Sequence, residues 1–258
     1  MIKPNVDVIV PVHNQLGMVI ACVESLKAQP RIGRIVIIDD NSNPDESAVL
    51  KTLGTMYYHN VGASGFVKSC HRGVSKTDSP YFLLLNSDTI AFPNAIEKIA
   101  ESLDEGYAIV GSRLIFPPKH PQQMTIQHAG VGFSVQGIPY HPFMGLPQDE
   151  PCVLVKRDVN AVTGAAMAFR REWWDKVGGF DKKFYATYED VEICLSIKKA
   201  GGSILYNPDA AFYHWQHGSQ TNELNWFTQE NLTNHLGMLM LKHGKQKPDD
   251  HLFYRLPR

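Results

Sequence analysis

Three short polar clusters each follow an apolar run: Pro11-Val12-His13-Asn14, Asp39-Asp40-Asn41-Ser42 and Asn86-Ser87-Asp88. Asp, Asn and Ser are common after any strand because they favour turns and helix caps. In an open parallel sheet, however, ligands bind beyond the carboxyl ends of the strands. Polar clusters after three separate strands therefore point to a binding site rather than to turn chemistry alone. No GxGxxG motif follows the first run and no GxxxxGK[ST] occurs, so neither a Rossmann fingerprint nor a P-loop holds the ligand. A nucleotide held by other means is the expectation. Further along stand the adjacent carboxylates Glu189 and Asp190, and the histidines His214 and His217, three residues apart. Zinc would need three or four ligands, and no Cys or acidic partner lies at matching spacing.

The elements that must position these groups follow from periodicity. Val6–Val12 is a β-branched strand, and Leu16, Val19, Ile20, Val23 and Leu26 recur at helical spacing. Strands follow at 34–39, Met56–His59, Tyr81–Leu85 and 108–116, with helices expected up to Leu53, over 65–76 and over 94–105. Strands alternating with helices in this way define βαβ units and a mostly parallel central sheet of α/β class. After Phe116 the pattern breaks at Pro117, Pro118, Pro121, Pro139, Pro142, Pro147 and Pro151, which indicates loops and a hairpin. A strand over 161–169, a helix over Arg171–Val177, a helix over 190–200 and a strand over 203–206 are expected next. Leu232, Leu236, Leu239 and Met240 mark a last amphipathic helix.

Composition narrows the class. The 258 residues are 43% hydrophobic and 20% charged, which excludes a disordered chain. The 25 basic against 26 acidic residues leave a net charge of −1, so there is no strong nucleic-acid signal and no polybasic membrane anchor. The start, Met1-Ile2-Lys3-Pro4, lacks the apolar core of a signal peptide, and no apolar run is long enough for a transmembrane segment. Cys22, Cys70, Cys152 and Cys194 are scattered without a CxxC pair, as expected of reduced thiols in a cytoplasmic protein. One domain over 1–258 is expected: a nucleotide half over about 1–116, an acceptor half over about 117–225, and a C-terminal helix and tail over 226–258.

The ordered motifs resemble family 2 glycosyltransferases, which have the GT-A fold. The matching pieces are 8–14 with the first cluster, 35–42 with Asp39-Asp40, Asn60-Val61-Gly62, 83–89 with Asn86-Ser87-Asp88, 164–171, Gly178-Gly179-Phe180-Asp181, and Tyr188-Glu189-Asp190-Val191. The likeness covers about 4–218 and is greatest to bacterial transferases of rhamnose or galactofuranose type.

The resemblance implies an inverting, metal-dependent transfer of a sugar from a nucleotide diphosphate donor, as in polysaccharide biosynthesis. Pro11, His13, Asn14 and Asp40 would hold base and ribose, with Asn60 and Gly62 covering the ribose; Asp39 would fix its loop. Asn86, Ser87 and Asp88 would meet the diphosphate, with Asp88 and His214 as ligands of Mn2+ or Mg2+. Asn86 stands where the family usually has an aspartate, so the site carries less charge. Asp190 would be the general base and Glu189 its alternate, against the simpler reading that both complement a helix dipole. Gly164, Ala165 and Trp173 would face the acceptor sugar, with Trp174, Trp215 and Trp226 as further groove or core candidates, and Arg170 and Arg171 would meet a phosphate of donor or acceptor or face solvent.

The acceptor expected is a glycan or lipid-linked saccharide, with a protein side chain or a modified nucleobase as alternatives. A non-catalytic nucleotide-sugar-binding module is the competing function, disfavoured because Asp88, Glu189 and Asp190 are all present. The tail offers a dimer or peripheral membrane contact, without a basic amphipathic face to support it.

Overall fold

The computed structural model describes residues 3–185, 187–215, 228–249 and 251–254. His217 and Trp226 lie outside the described residues, as does the end of the tail at Arg258. The strands are β1 (Val6–Val12), β2 (Ile32–Asp39), β3 (Met56–His59), β4 (Tyr81–Leu85), β5 (Thr89–Ala91), β6 (Ile109–Ile115), β7 (Ile126–His128), β8 (Gly132–Phe133), β9 (Pro139–Tyr140), β10 (Arg157–Asp158), β11 (Ala166–Arg170) and β12 (Ile204–His214). The helices are α1 (Leu16–Lys27), α2 (Pro44–Leu50), α3 (Phe66–Val74), α4 (Ala95–Asp104), α5 (Arg171–Val177), α6 (Glu189–Lys199), α7 (Gln229–His243) and α8 (His251–Tyr254).

Ten of the described strands form one sheet, in the order β10-β12-β6-β11-β4-β1-β2-β3, with β5 and β7 paired at one end. The β3-β2-β1-β4 half is parallel throughout. β11 runs antiparallel between β4 and β6 and joins the two halves.

Both faces of the sheet are covered, which is why the central strands read as unbroken apolar runs. On β4, Phe82 and Leu84 pack into one core with Val67, Cys70 and Val74 of α3, Trp174 of α5 and Ile193 and Ile197 of α6. Leu83 and Leu85 point the other way, onto Val19, Cys22 and Val23 of α1 and Ile96 and Ile99 of α4. Phe82 stacks on Phe169 with ring centroids 5.1 Å apart. Each fully buried side chain of this size contributes roughly 1.5–3 kcal/mol. Gly73 lets α3 sit directly on β1, since a Cβ there would come within 2.2 Å of Ile9 Cγ2.

The four cysteines are free thiols; Cys22, Cys70 and Cys194 are buried and Cys152 is half-buried. No described helix is long and apolar enough to cross a membrane.

Two expectations need correction. The strand expected over 203–206 continues to His214, and the one expected over 161–169 begins only at Ala166. β12 absorbs Pro208, which has no N–H to give a ladder, in a bulge between Asn207 and Ala211 and then resumes its pairing with β6.

Candidate active site

The C-terminal ends of β4 and β12 meet through a short antiparallel ladder. β5 pairs with β12 so that Thr89 faces His214, which sets residue 214 beside residue 88. His214 Nε2 lies 3.2 Å from Asp88 Oδ1 and 3.2 Å from Asn86 Nδ2. Asp88 and His214 are buried, and the Trp215 backbone N–H donates to the Asp88 carbonyl oxygen at 3.1 Å. On its other side, His214 Nδ1 makes a short contact with Gln127 Oε1. An imidazole that donates from Nδ1 to an amide oxygen keeps a lone pair on Nε2. Nε2 and a carboxylate oxygen converge at 3.2 Å, close enough for one divalent cation to take both as ligands.

One carboxylate, one imidazole and one amide form a donor set suited to Mn2+ or Mg2+ that takes its remaining ligands from phosphate and water. It does not suit a structural zinc, and among the described residues there is no group of three or more His, Cys, Asp or Glu able to hold a metal. Behind this motif, Cys22 Sγ lies 3.6 Å from Thr89 Oγ1, and burial pushes its thiol pKa up to about 12, so it is a packing residue.

The first two polar clusters are laced together. His13 Nδ1 donates to the Asp40 carbonyl at 2.9 Å, and the Asn14 N–H donates to Ser42 Oγ at 2.8 Å. The Asn14 amide oxygen accepts the Asn43 N–H at 2.8 Å. Asn14 and Gln15 take left-handed backbone to make the turn into α1. Pro11 lies in β1 opposite Ile38, one residue before the edge of this lacework.

Asp40 does more internal work than its sequence position suggested. Its Oδ1 accepts from Asn60 Nδ2, the Ser64 N–H and Ser64 Oγ, and its Oδ2 accepts from the Gly65 N–H at 2.7 Å. Burial by itself would raise its pKa, but these donors outweigh burial and hold it below the ordinary carboxylate range. Three donors crowd Oδ1 while Oδ2 takes one, so Oδ2 is the oxygen with capacity for a further donor from a base. Asn60 is a buried crosslink between Asp40 and Ser69, and Gly62 at φ 78° shapes the exposed tip of the same loop. Asp39 accepts from the Ser42 N–H, Ser47 Oγ and Tyr57 Oη, a purely structural set.

The second half of the chain reaches the Asn86-Ser87-Asp88 motif through two consecutive residues. The Gly164 N–H donates to Asp190 Oδ2 at 2.9 Å, and the Ala165 carbonyl accepts the Asn86 N–H at 2.9 Å. Asp190 Oδ1 also accepts the Val191 N–H, at 2.8 Å, in the first turn of α6. Glu189 is half-buried overall, yet its Oε2 is sealed from solvent and has no hydrogen-bond partner. Burial, reinforced by the charge of Asp190, pushes the Glu189 pKa up to about 8. The adjacent carboxylates thus differ in surroundings: burial raises the Glu189 pKa, whereas Asp190 is anchored by two backbone N–H groups.

Ser87 is buried between Asn86 and Asp88. Trp173 is not at this site. Because β11 is antiparallel to β4, Ala166 pairs with Leu85 at the site end while Arg170 pairs with Tyr81 at the far end, and α5 starts from there. Trp173 packs over Gly202 and under Lys176 Nζ, 4.5 Å from its ring centroid. Arg170 pairs with Glu172, and Arg171 binds Ser79 and Thr77 at the same far end, so neither faces a phosphate here. Trp174 is a core residue between Phe82 and Phe180. Two site residues escaped the sequence reading: Gln127, an amide in a strand of three residues, and Ser64, one of many loop serines.

This topology is that of the GT-A glycosyltransferases, with the polar motifs gathered at one end of the sheet. The chain belongs to the family described as Glycosyl transferase family 2, whose sequence profile matches residues 7–178. It is similar to the uncharacterized protein y4gI of Sinorhizobium fredii, 25% identical over 85% of this chain and 25% of that protein. It is similar to the O-antigen biosynthesis protein RfbC of Myxococcus xanthus, 24% identical over 84% of this chain and 18% of that protein. The pre-mycofactocin glycosyltransferase of Mycobacterium tuberculosis is 25% identical over 81% of this chain and 42% of its own length. The chain therefore spans under half the length of these relatives. Among solved structures, GalNAc-T7 with UDP, GalNAc and Mn2+ superposes with a TM-score of 0.72 at 16% identity, covering 92% of this chain and 48% of that one. The mannosyltransferase PcManGT from Pyrobaculum calidifontis, in complex with GDP-Man and Mn2+, gives 0.64 at 13% identity, covering 98% and 68%.

Proposed function

We propose that the chain, acting as one domain, transfers a sugar from a nucleotide diphosphate donor to a hydroxyl of a glycan or lipid-linked saccharide, with inversion at the anomeric carbon. The lacework of His13, Asn14 and Asp40 takes the base and ribose, with the loop carrying Asn60 and Gly62 over them. Asn86 and Ser87 meet the donor beside Asp88. Asp88 and His214 hold a divalent ion, Mn2+ or Mg2+, which neutralises charge on the departing diphosphate. Asp190 removes the acceptor proton as the hydroxyl oxygen attacks the anomeric carbon and the bond to the diphosphate breaks. Glu189, whose pKa is raised by burial and by the charge of Asp190, acts beside Asp190 as the alternate carboxylate. Gly164 and Ala165 fix the spacing between the two groups.

The observation that carries this reading is the 164–165 link, which ties Asp190 to Asn86, and so to the Asp88–His214 pair, through adjacent backbone hydrogen bonds. The RfbC name supports a saccharide acceptor, and the Mn2+ complexes of the structural neighbours support a divalent ion. Thermal shift with UDP-, GDP- and dTDP-linked sugars, each with and without Mn2+, tests it. Metal-dependent stabilisation by one donor is the expected result. No stabilisation by any donor, and no effect of chelation, would remove the reading.

A further inference from the structure

His128 and His141 lie outside every role above, yet they meet beside the 163–165 segment. His128 is fully buried in β7, and its Nδ1 lies 3.0 Å from Nδ1 of His141, which follows β9. The rings stand nearly perpendicular, at 78° with centroids 5.1 Å apart. His128 Nε2 faces two backbone donors, the Gly130 N–H at 3.3 Å and the Thr163 N–H at 3.4 Å. Two N–H groups aimed at one ring nitrogen require it to be the bare, accepting nitrogen.

The rest follows by elimination. Neutral His128 must carry its proton on Nδ1 and donate it to His141 Nδ1. Neutral His141 must then carry its own proton on Nε2. Burial of His128, with the neighbouring rings of His141 and His214, lowers its pKa and keeps it neutral. His141 is solvent-exposed, so its Nε2–H is open to a ligand. Surrounding protein lowers the pKa of His141, and the charge of Asp190 opposes that shift. The backbone donor to His128 is Thr163, and the donor to Asp190 is the next residue, Gly164.

We propose that His141 is an acceptor-binding residue whose Nε2–H donates to an oxygen of the acceptor saccharide beside Asp190, and that His128 is a positioning residue which locks that tautomer. This rests on the glycosyltransferase reading and adds a recognition element to its acceptor side. A fixed donor beside the base would hold a sugar oxygen while the neighbouring hydroxyl gives up its proton. His141 itself transfers nothing: the hydroxyl proton goes to Asp190, and the sugar passes to the hydroxyl oxygen as its bond to the diphosphate breaks.

The test is long-range 1H–15N NMR of the full chain labelled at histidine. The ligand-free protein should show His128 protonated at Nδ1 and His141 at Nε2; the reverse tautomer at His141 overturns the proposal. UDP, GDP or dTDP with Mg2+ should move the His214 signals. With that nucleotide present, rhamnose, galactose, mannose and N-acetylglucosamine are then added singly, and at least one should move His141. If His214 responds and no sugar moves His141, the inference fails while the donor reading stands; silence at both ends both. By saturation-transfer NMR, His141→Phe should weaken the responding sugar about 10-fold, as for a lost hydrogen bond, whereas His141→Gln retains a donor and most of the affinity. Equal affinity in wild type and both variants would also overturn it.

Discussion

The Gly164 N–H is aimed at Asp190 Oδ2 from 2.9 Å, and the carbonyl of the next residue holds the Asn86 N–H at the same distance. The candidate base and the candidate metal motif are thus registered by backbone, not by flexible side chains. Position 164 has room as well: a Cβ would sit 3.5 Å from Asp190 Cβ, an ordinary contact.

Asp190→Asn should abolish transfer while leaving nucleotide affinity nearly unchanged. Asn keeps the size and the ability to accept from Gly164, but loses the base, for a drop of roughly 100- to 10,000-fold in kcat. Turnover and calorimetric nucleotide binding on the same preparation check this, and a parallel loss of binding would mean a structural role.

Gln127→Leu should loosen the divalent ion without removing a ligand. His214 would lose the contact that orients its ring, and such outer partners typically carry about 10- to 100-fold in metal affinity. Titration of Mn2+ in the presence of the responsive nucleoside diphosphate reads this directly. An affinity equal to wild type would leave Gln127 with no role at the site.

Asp40→Ala should destabilise the nucleotide side, because Asn60, Ser64 and Gly65 lose their shared acceptor. Buried donors left unsatisfied cost about 1–3 kcal/mol each, so the urea midpoint should fall clearly, and by less in Ser64→Ala. The folded pKa of Asp40 is depressed, so its stabilisation is present above the ordinary value of 3.8 and lost as pH falls through the lower folded value. Asp40→Asn should flatten that acid limb of the stability curve.

Glu189→Gln should change stability in the opposite pH direction. Its folded pKa is raised from 4.5 to about 8, so the folded chain retains a proton that the unfolded chain releases across that window. Stability tied to Glu189 is therefore full below pH 4.5 and falls as pH rises toward 8. The melting temperature of Glu189→Gln relative to wild type should climb over that range. A constant difference from pH 5 to pH 8 would contradict the raised value.

What was legible from the sequence follows from where two signals agreed. β1, β3 and β4 begin and end where the apolar runs do, because β1 and β4 are covered on both faces and polar clusters close two of the three. The extension of β12 was illegible because Asn207-Pro208-Asp209 reads as a turn, whereas tertiary pairing on both sides carries the strand through it. Trp173 was misplaced for a different reason: a strand's direction does not show in its composition, and β11 reverses the side on which α5 emerges. Asp88, Gly164 and Asp190 are legible because each stands within one of the ordered motifs. The hydrogen bond that Gln127 accepts and those that Ser64 donates join residues distant in sequence and leave no local pattern.

The β5–β12 ladder also bears on how the molecule is made. Asn86 and His214 are 128 residues apart in the chain and become neighbours only when β12 docks along β6 and reaches β5. Contacts of such long sequence separation form late, since loop-closure entropy must be met first. During synthesis, then, the nucleotide-side strands can be in place while the cation pair does not yet exist. An ion bound there would favour only the completed chain, by mass action, so divalent-ion dependence of refolding would count finished molecules and ignore partly assembled ones.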